Sequence, residues 1–126
     1  MTTIAPIEPA LNEAAVFMEE ALNDLLPEPI GPQSRLIEAM RYATLEGGKR
    51  IRAFLVLQSG RLFGVDRRAL SRVAAAVECL HSYSLVHDDL PAMDNDDMRR
   101  GKPSTHRKFD EATAILAGDA LLTHAF

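Results

Sequence analysis

The chain of 126 residues contains no tryptophan, a single cysteine and no apolar run near the ~20 residues that a membrane-spanning helix needs. One cysteine cannot form an internal disulfide, and Cys79 lies in an apolar helical stretch, which indicates a buried thiol in a reducing compartment. The net charge of −4 argues against a general nucleic-acid-binding protein, whose surface would be basic. These absences predict a protein with no membrane span and no nucleic-acid partner.

The amino-terminal residues also lack the features of a secretory signal peptide. Residues 1–6 read MTTIAP, with neither a basic region nor an apolar core. We therefore expect a soluble, cytoplasmic protein. A hydrophobic fraction of 47% and a charged fraction of 25% are typical of a globular domain, and the length suits a single one.

Helical periodicity dominates the chain, and no segment is typical of a strand, so the predicted fold class is all-α. The predicted helices cover residues 11–26, 34–45, 49–63, 66–90 and 110–126. Gly47-Gly48 is expected to end the second helix, Asp66 to cap the fourth, and Pro91 to end the fourth, with a loop from there to about His106. The last helix is apolar on nearly all sides and reaches the final residue without a stop signal, which predicts a chain cut within a helix of a larger protein.

The most informative stretch is acidic. Five carboxylates fall within ten residues, at 88, 89, 94, 96 and 97, directly after a segment almost free of charge, 73–86. Carboxylates this close repel one another unless a cation lies between them. Asp88, Asp89 and Asp94 suit Mg²⁺, which uses few protein carboxylates together with water and substrate phosphates. A calcium loop fails, because Met98 and Arg99 stand where it needs an oxygen ligand and a glycine. The alternative is an acidic loop that is merely exposed.

Charges at two helix ends are unfavourably placed. Lys49, Arg50 and Arg52 lie at the start of the third predicted helix, where the helix dipole is positive. Asp88 and Asp89 lie at the end of the fourth, where it is negative. Each placement costs a few tenths to about 1 kcal/mol, and a bound anion and bound cations would remove these costs. The sequence thus indicates an enzyme that handles phosphorylated ligands with a metal, although the basic side chains could equally be solvated.

The histidines differ in their placement. His81 precedes Asp88 by seven residues and so lies on nearly the same helix face, about 10 Å away; a core histidine is the alternative. His87, His106 and His124 show no metal-ligand spacing and are interpreted as structural or exposed. No serine or cysteine nucleophile motif, Walker loop or dinucleotide fingerprint is present.

Three segments, in this order along the chain, resemble motifs of the trans-isoprenyl diphosphate synthases, or polyprenyl synthetases, and most closely those of bacterial-type farnesyl diphosphate synthases. The segments are GGKRIR at 47–52, ECLHSYSLVHDDLPAMD at 78–94 and RRGKPSTH at 99–106. The resemblance covers roughly residues 35–126. It implies an antiparallel helical bundle of the isoprenoid synthase type, of which residues 1–126 form the N-terminal part of a single domain, in a homodimer.

The resemblance also implies a role for each matching residue. Asp88, Asp89 and Asp94 match the DDxxxxD motif, which holds Mg²⁺ on the allylic diphosphate, and Arg99 matches a residue that contacts this diphosphate. The positions that bind isopentenyl diphosphate are matched by Gly48, Lys49, Arg52, His81 and Arg100. The implied catalytic residues are Asp88, Asp89, Asp94, Arg99 and Arg100.

The implied reaction joins isopentenyl diphosphate to dimethylallyl or geranyl diphosphate and yields farnesyl diphosphate. The allylic diphosphate leaves, the double bond of isopentenyl diphosphate attacks the carbocation, and a proton is lost. The family places an aromatic residue that limits product length five residues before the first aspartate, here Tyr83. Helix geometry instead places Ser84 one turn below Asp88 and rotates Tyr83 by about 140° from it, so both are candidates and a packed core tyrosine stays open.

The chain departs from the family in its missing second aspartate-rich motif, because Asp96-Asp97-Met98-Arg99-Arg100 ends in arginine where DDxxD is needed. The catalytic Lys-Thr elements are also missing. We therefore expect under half of an enzyme, inactive by itself. The alternatives are a geranylgeranyl diphosphate synthase, a non-catalytic binding or regulatory subunit, and part of a terpene cyclase. The intact site residues argue against the subunit. A second set of diphosphate-binding residues, Lys49, Arg52 and Arg100, argues against the cyclase.

Overall fold

A computed structural model describes residues 6–126 and confirms the all-α fold class. The elements are α1 (Glu8–Leu25), α2 (Ser34–Thr44), α3 (Ile51–Leu62), α4 (Arg67–Asp88), β1 (Met98–Arg99), β2 (Lys102–Pro103), α5 (Thr105–Lys108) and α6 (Glu111–Ala125). Most of residues 1–6, which carry the signal-peptide interpretation, lie outside the described residues. From residue 6 onwards, none of the helices combines the length and the hydropathy needed to cross a bilayer.

Every predicted helix is present, and the caps explain where two of them start. The Asp66 carboxylate accepts a hydrogen bond from the Ala69 N–H at 3.2 Å, which confirms this residue as the cap of α4. Asp110 caps α6 in the same way, accepting from the Thr113 N–H at 2.7 Å. Helix α4 ends at Asp88, two residues earlier than predicted, ahead of Pro91.

The predicted role of Gly47-Gly48 as a helix stop is wrong. Helix α2 already ends at Thr44, and Glu46, with a φ of 53°, adopts the left-handed conformation after it. At Gly47 the missing side chain matters for another reason, since a Cβ there would lie 2.6 Å from a guanidinium nitrogen of Arg50. The glycine therefore permits the close approach of a buried arginine.

The predicted loop after α4 contains structure that the sequence analysis did not predict. Strands β1 and β2 pair antiparallel, and the two residues between them, Arg100 and Gly101, have φ values of 51° and 77°. Consecutive positive φ values at the two central positions indicate a type I′ hairpin turn. The Tyr42 hydroxyl of α2 donates to the Pro103 carbonyl at 2.6 Å, which fastens this hairpin to α2.

The main core lies where α1, α2, α3, α4 and α6 meet. Its fully buried side chains include Met18, Leu22 and Leu121, and Ala74 in α4 and Ala117 in α6 are also wholly buried. Small residues at such positions let helix axes approach closely. The core thereby fixes α4 against α3 on one side and α6 on the other, and α4 carries most of the candidate site.

Candidate active site

Arg50 and Glu78 form a buried ion pair at the start of α3. Arg50 precedes the first residue of the helix and has a φ of 58°. Its guanidinium donates to Glu78 Oε2 at 2.9 Å, to the Thr44 carbonyl at 2.6 Å and to a carboxylate oxygen of Glu19 at 3.1 Å. The second Glu78 oxygen accepts from the Ala53 N–H at 3.2 Å. The pair thus joins α4 to the end of α2 and the start of α3.

This pair corrects the helix-dipole interpretation. Helix α3 begins at Ile51, two residues later than predicted, and the Glu78 carboxylate already occupies one N–H group of its first turn. The side chain of Arg50 points inward and is buried. A protein carboxylate therefore compensates the positive end of the dipole. Of the three basic residues, only Lys49 and Arg52 are available to an external anion.

The residues predicted to bind isopentenyl diphosphate lie together along one cleft between the start of α3, the middle of α4 and the hairpin turn. We call the cleft formed by Gly48, Lys49, Arg52, His81 and Arg100 the cationic cleft. Within residues 6–126, neither Lys49, Arg52 nor Arg100 forms an ion pair with a carboxylate. Three cations without an ion-pair partner make this cleft a candidate anion site.

The electrostatics of the cationic cleft favour a neutral histidine. His81 Nε2 lies 3.4 Å from a guanidinium nitrogen of Arg52. Burial, and then the charge of Arg52, lower the pKa of His81. Burial, and then the charge of Arg50, also lower the pKa of Arg100. Cations that disfavour one another in this way would be stabilised together by one bound anion.

The predicted metal-binding residues lie at the end of α4, where the following loop turns back on the helix. The Asp94 N–H donates to the Asp88 carbonyl at 2.8 Å, and the Asp96 N–H donates to the Asp89 carbonyl at 3.1 Å. The Asp88 side chain is half-buried and that of Asp94 is exposed. In the described part of the chain, neither carboxylate belongs to an ion pair.

Asp89 differs from the other two aspartates because it is fully buried and binds Arg99. Both carboxylate oxygens accept from the guanidinium at 2.8 Å, and this hydrogen bonding raises the pKa of Arg99. Two residues with separate predicted roles thus bind each other. From residue 6 to 126, no three carboxylate, imidazole or thiol groups are arranged to hold a metal. With Asp89 bound to Arg99, Asp88 and Asp94 are the two predicted metal ligands without an ion-pair partner in the described residues, and Mg²⁺ needs only one or two carboxylates alongside water and phosphate.

The two candidates for limiting product length have different surroundings. Tyr83 is half-buried, packs against the main core, and meets the His87 ring edge-on with 5.6 Å between ring centroids. His87 Nε2 lies 3.0 Å from the Ile115 carbonyl of α6. The Ser84 hydroxyl donates to the His81 carbonyl of its own helix at 2.6 Å. The packing of Tyr83 therefore agrees with the open alternative of a core tyrosine.

The other histidines, which were interpreted from the sequence as structural or exposed, lie outside the cationic cleft. His106 is buried beside the Ser104 hydroxyl, and His124 Nε2 lies 2.9 Å from the Leu25 carbonyl. Glu78 was not identified from the sequence as a site residue, although its position as an isolated charge in an apolar stretch could have indicated a buried partner. It is the one carboxylate in the stretch 73–86 and is flanked by apolar residues. Tyr42 was not identified either, and no pattern in the sequence indicates its contact with the hairpin.

Comparisons with known proteins concern the family and the fold of the chain. The family model for polyprenyl synthetase matches residues 33–126. A farnesyl diphosphate synthase of Escherichia coli (strain K12) is 63% identical over 91 residues, covering 72% of this chain and 30% of that protein. A farnesyl diphosphate synthase of Geobacillus stearothermophilus is 52% identical over 120 residues, covering 95% of this chain and 40% of that protein.

A solved structure shows the same arrangement of helices. The apo structure of an FPP/GFPP synthase from Zymomonas mobilis superimposes with a TM-score of 0.90 at 50% identity, over 94% of this chain and 43% of that one. The chain spans well under half the length of these relatives. It has the isoprenoid synthase type of helical bundle, incomplete here. The family match covers 94 of the 126 residues, so the chain belongs to the polyprenyl synthetase family.

Proposed function

We propose that residues 1–126 are the N-terminal part of a prenyltransferase domain that condenses isopentenyl diphosphate with dimethylallyl or geranyl diphosphate to give farnesyl diphosphate. The observation that carries this proposal is the cationic cleft, in which Lys49, Arg52 and Arg100 face one space without carboxylate partners. The acidic end of α4 lies two helical turns beyond His81, which leaves room for a second diphosphate.

The hairpin turn supports two neighbouring diphosphate sites. Arg99 contacts Asp89 at the acidic end of α4, and the next residue, Arg100, lines the cationic cleft. Arg100 has a positive φ, which non-glycine residues rarely adopt and which the surrounding contacts must maintain. Adjacent arginines therefore serve two sites from one turn, which suits a reaction between two diphosphate substrates.

The proposed chemistry assigns a separate task to each group. Lys49, Arg52 and Arg100 hold the diphosphate of isopentenyl diphosphate, and neutral His81 donates or accepts a hydrogen bond there. Arg99 binds Asp89 through Nε and one terminal nitrogen, which leaves its other terminal nitrogen for the allylic diphosphate. There it stabilises the charge that develops as the C–O bond of this substrate breaks. Mg²⁺, when bound by Asp88 and Asp94, would supply further positive charge to the leaving diphosphate. The isopentenyl double bond then forms the new C–C bond, and a proton is lost.

Product length is the finer part of the proposal and depends on Tyr83. In the complete enzyme, Tyr83→Ala should yield products longer than farnesyl diphosphate, because the family resemblance gives this aromatic side chain the role of stopping chain growth. The matched control is Phe63→Ala, which removes an exposed aromatic ring just after the end of α3. An unchanged farnesyl product from the Tyr83 variant would exclude the residue from this role. The proposal also includes a cytoplasmic homodimer, as the family resemblance implies.

A chimera tests the activity directly. The part of the Geobacillus stearothermophilus relative that matches this chain would be replaced by residues 1–126, and transfer of the geranyl group from geranyl diphosphate to isopentenyl diphosphate would be measured with Mg²⁺. We expect farnesyl diphosphate from the chimera and none from the 126-residue chain alone. Arg52→Met in the chimera should raise KM for isopentenyl diphosphate, whereas Arg61→Met, exposed on the same helix, should not. A folded chimera without product refutes the proposal.

A further inference from the structure

The Glu78 carboxylate is a buried link between the backbone and the side chains that surround the cationic cleft. Only 4% of its side chain is exposed, as is the case for Arg50. One oxygen accepts from the Ala53 N–H in the first turn of α3, and the other accepts from Arg50. Arg50 in turn donates to the carbonyl of Thr44, the last residue of α2. One side chain of α4 thus fixes the chain on both sides of Lys49.

The backbone that carries the cleft cations needs such support. Arg50 stands between Lys49 and Arg52 and has a φ of 58°, a conformation that non-glycine residues keep only when their surroundings determine it. We infer that Glu78 is a positioning residue for diphosphate binding: it holds Arg50 in this conformation and so directs Lys49 and Arg52 into the cationic cleft. This inference rests on the proposed function of the cleft.

Charge and position predict opposite effects for one substitution. Glu78 lines the cationic cleft, so its negative charge alone disfavours an anion there. If charge were its whole contribution, Glu78→Gln would tighten diphosphate binding. If the carboxylate positions the cations, the same substitution weakens binding, because the glutamine amide cannot accept from both Ala53 and Arg50. The direction of the change therefore separates the two roles.

The test is a calorimetric titration of the full 126-residue chain with inorganic diphosphate, at a temperature where circular dichroism shows every variant to be folded. We expect Glu78→Gln to raise Kd about tenfold, the lower end of what losing an outer-shell partner costs at metal sites. Arg50→Lys keeps the charge but cannot bridge the same three acceptors, so it should weaken binding similarly. The control Glu38→Gln removes an equal charge from an exposed position outside the cleft and should change Kd less than about twofold.

The outcomes separate this inference from the proposed function. A folded Glu78→Gln variant that binds diphosphate as tightly as the unaltered chain, or more tightly, overturns the positioning role and leaves the cationic cleft intact. If that variant does not fold, Arg50→Lys decides in its place, and an unchanged Kd overturns the role. If the unaltered chain does not bind diphosphate, the cationic cleft itself is refuted, and the inference with it.

Discussion

Replacing Arg99 with alanine should destabilise the chain more than neutralising its partner Asp89 does. The reason is their unequal burial, since 2% of the Asp89 side chain is exposed against 32% of the Arg99 side chain. Removing the arginine leaves a carboxylate without its counter-charge in a buried position. Removing the negative charge leaves an arginine that can turn to water, so the second change has the smaller effect.

The burial of the pair also sets the size of the effect. Breaking a fully buried ion pair from one side costs about 3–5 kcal/mol, and an exposed pair contributes about 0.2–1 kcal/mol. Because only the carboxylate is buried here, we expect Arg99→Ala to lower the free energy of unfolding by about 2–3 kcal/mol. Asp89→Asn keeps the shape and one acceptor oxygen and should cost about 1 kcal/mol.

Urea denaturation followed by far-ultraviolet circular dichroism measures both values, provided that the m-value is unchanged. Arg107→Ala is the matched control, because Arg107 and Asp97 form a longer pair of 3.6 Å in which both side chains are mostly exposed. It should cost less than about 1 kcal/mol. An Arg99→Ala variant as stable as this control, or a larger loss for Asp89→Asn, would refute the reasoning from burial.

Three further predictions concern other parts of the chain. Gly118→Ala places a Cβ 2.1 Å from the ring nitrogen of His87, so it should cost about 1–3 kcal/mol through displaced helix packing, measured by the same denaturation. Burial, and then Glu78, raise the pKa of Cys79 from 9.0 to about 11, so at pH 8 the thiolate fraction is about a hundredfold lower than in the unfolded chain, and the buried Cys79 should react with a disulfide reagent more slowly by at least that factor. Hydrogen bonds from Arg35, and then from Thr113, lower the pKa of Asp110 from 3.8 to about 2. Its stabilisation is complete above pH 4 and is lost as the pH falls through 2, so Asp110→Asn should lose less stability than the unaltered chain over that window.

The parts of the fold that follow local rules could be predicted from the sequence. The carboxylate of Asp66 acts within three residues of its own position, and the apolar period of α4 extends over many turns, so both are visible in a short window. The start of α3 could not be found in this way. It is set by Glu78, which is 28 residues from Arg50 in the chain, and no local rule connects them.

The hairpin could not be predicted for a different reason. Its strands have two residues each, too few for an alternating pattern, and Arg100-Gly101 is not among the dipeptides that favour a type I′ turn. The residues of the candidate site could be named from the sequence, but the ion pair between two of them could not. Sequence spacing places the charges of Asp89 and Arg99 ten residues apart, and only the folded chain shows that they bind each other.

The return of the loop onto the end of α4 has an entropic consequence. Three backbone hydrogen bonds hold it there, from the N–H groups of Asp94, Asn95 and Asp96 to the carbonyls of Asp88, Leu90 and Asp89. Fixing a residue's backbone costs about 1–2 kcal/mol at 25 °C, and for these residues folding has already met that cost. A cation that binds Asp88 and Asp94 would therefore order side chains alone. Its binding should leave the far-ultraviolet spectrum unchanged and depend little on the flexibility of the loop.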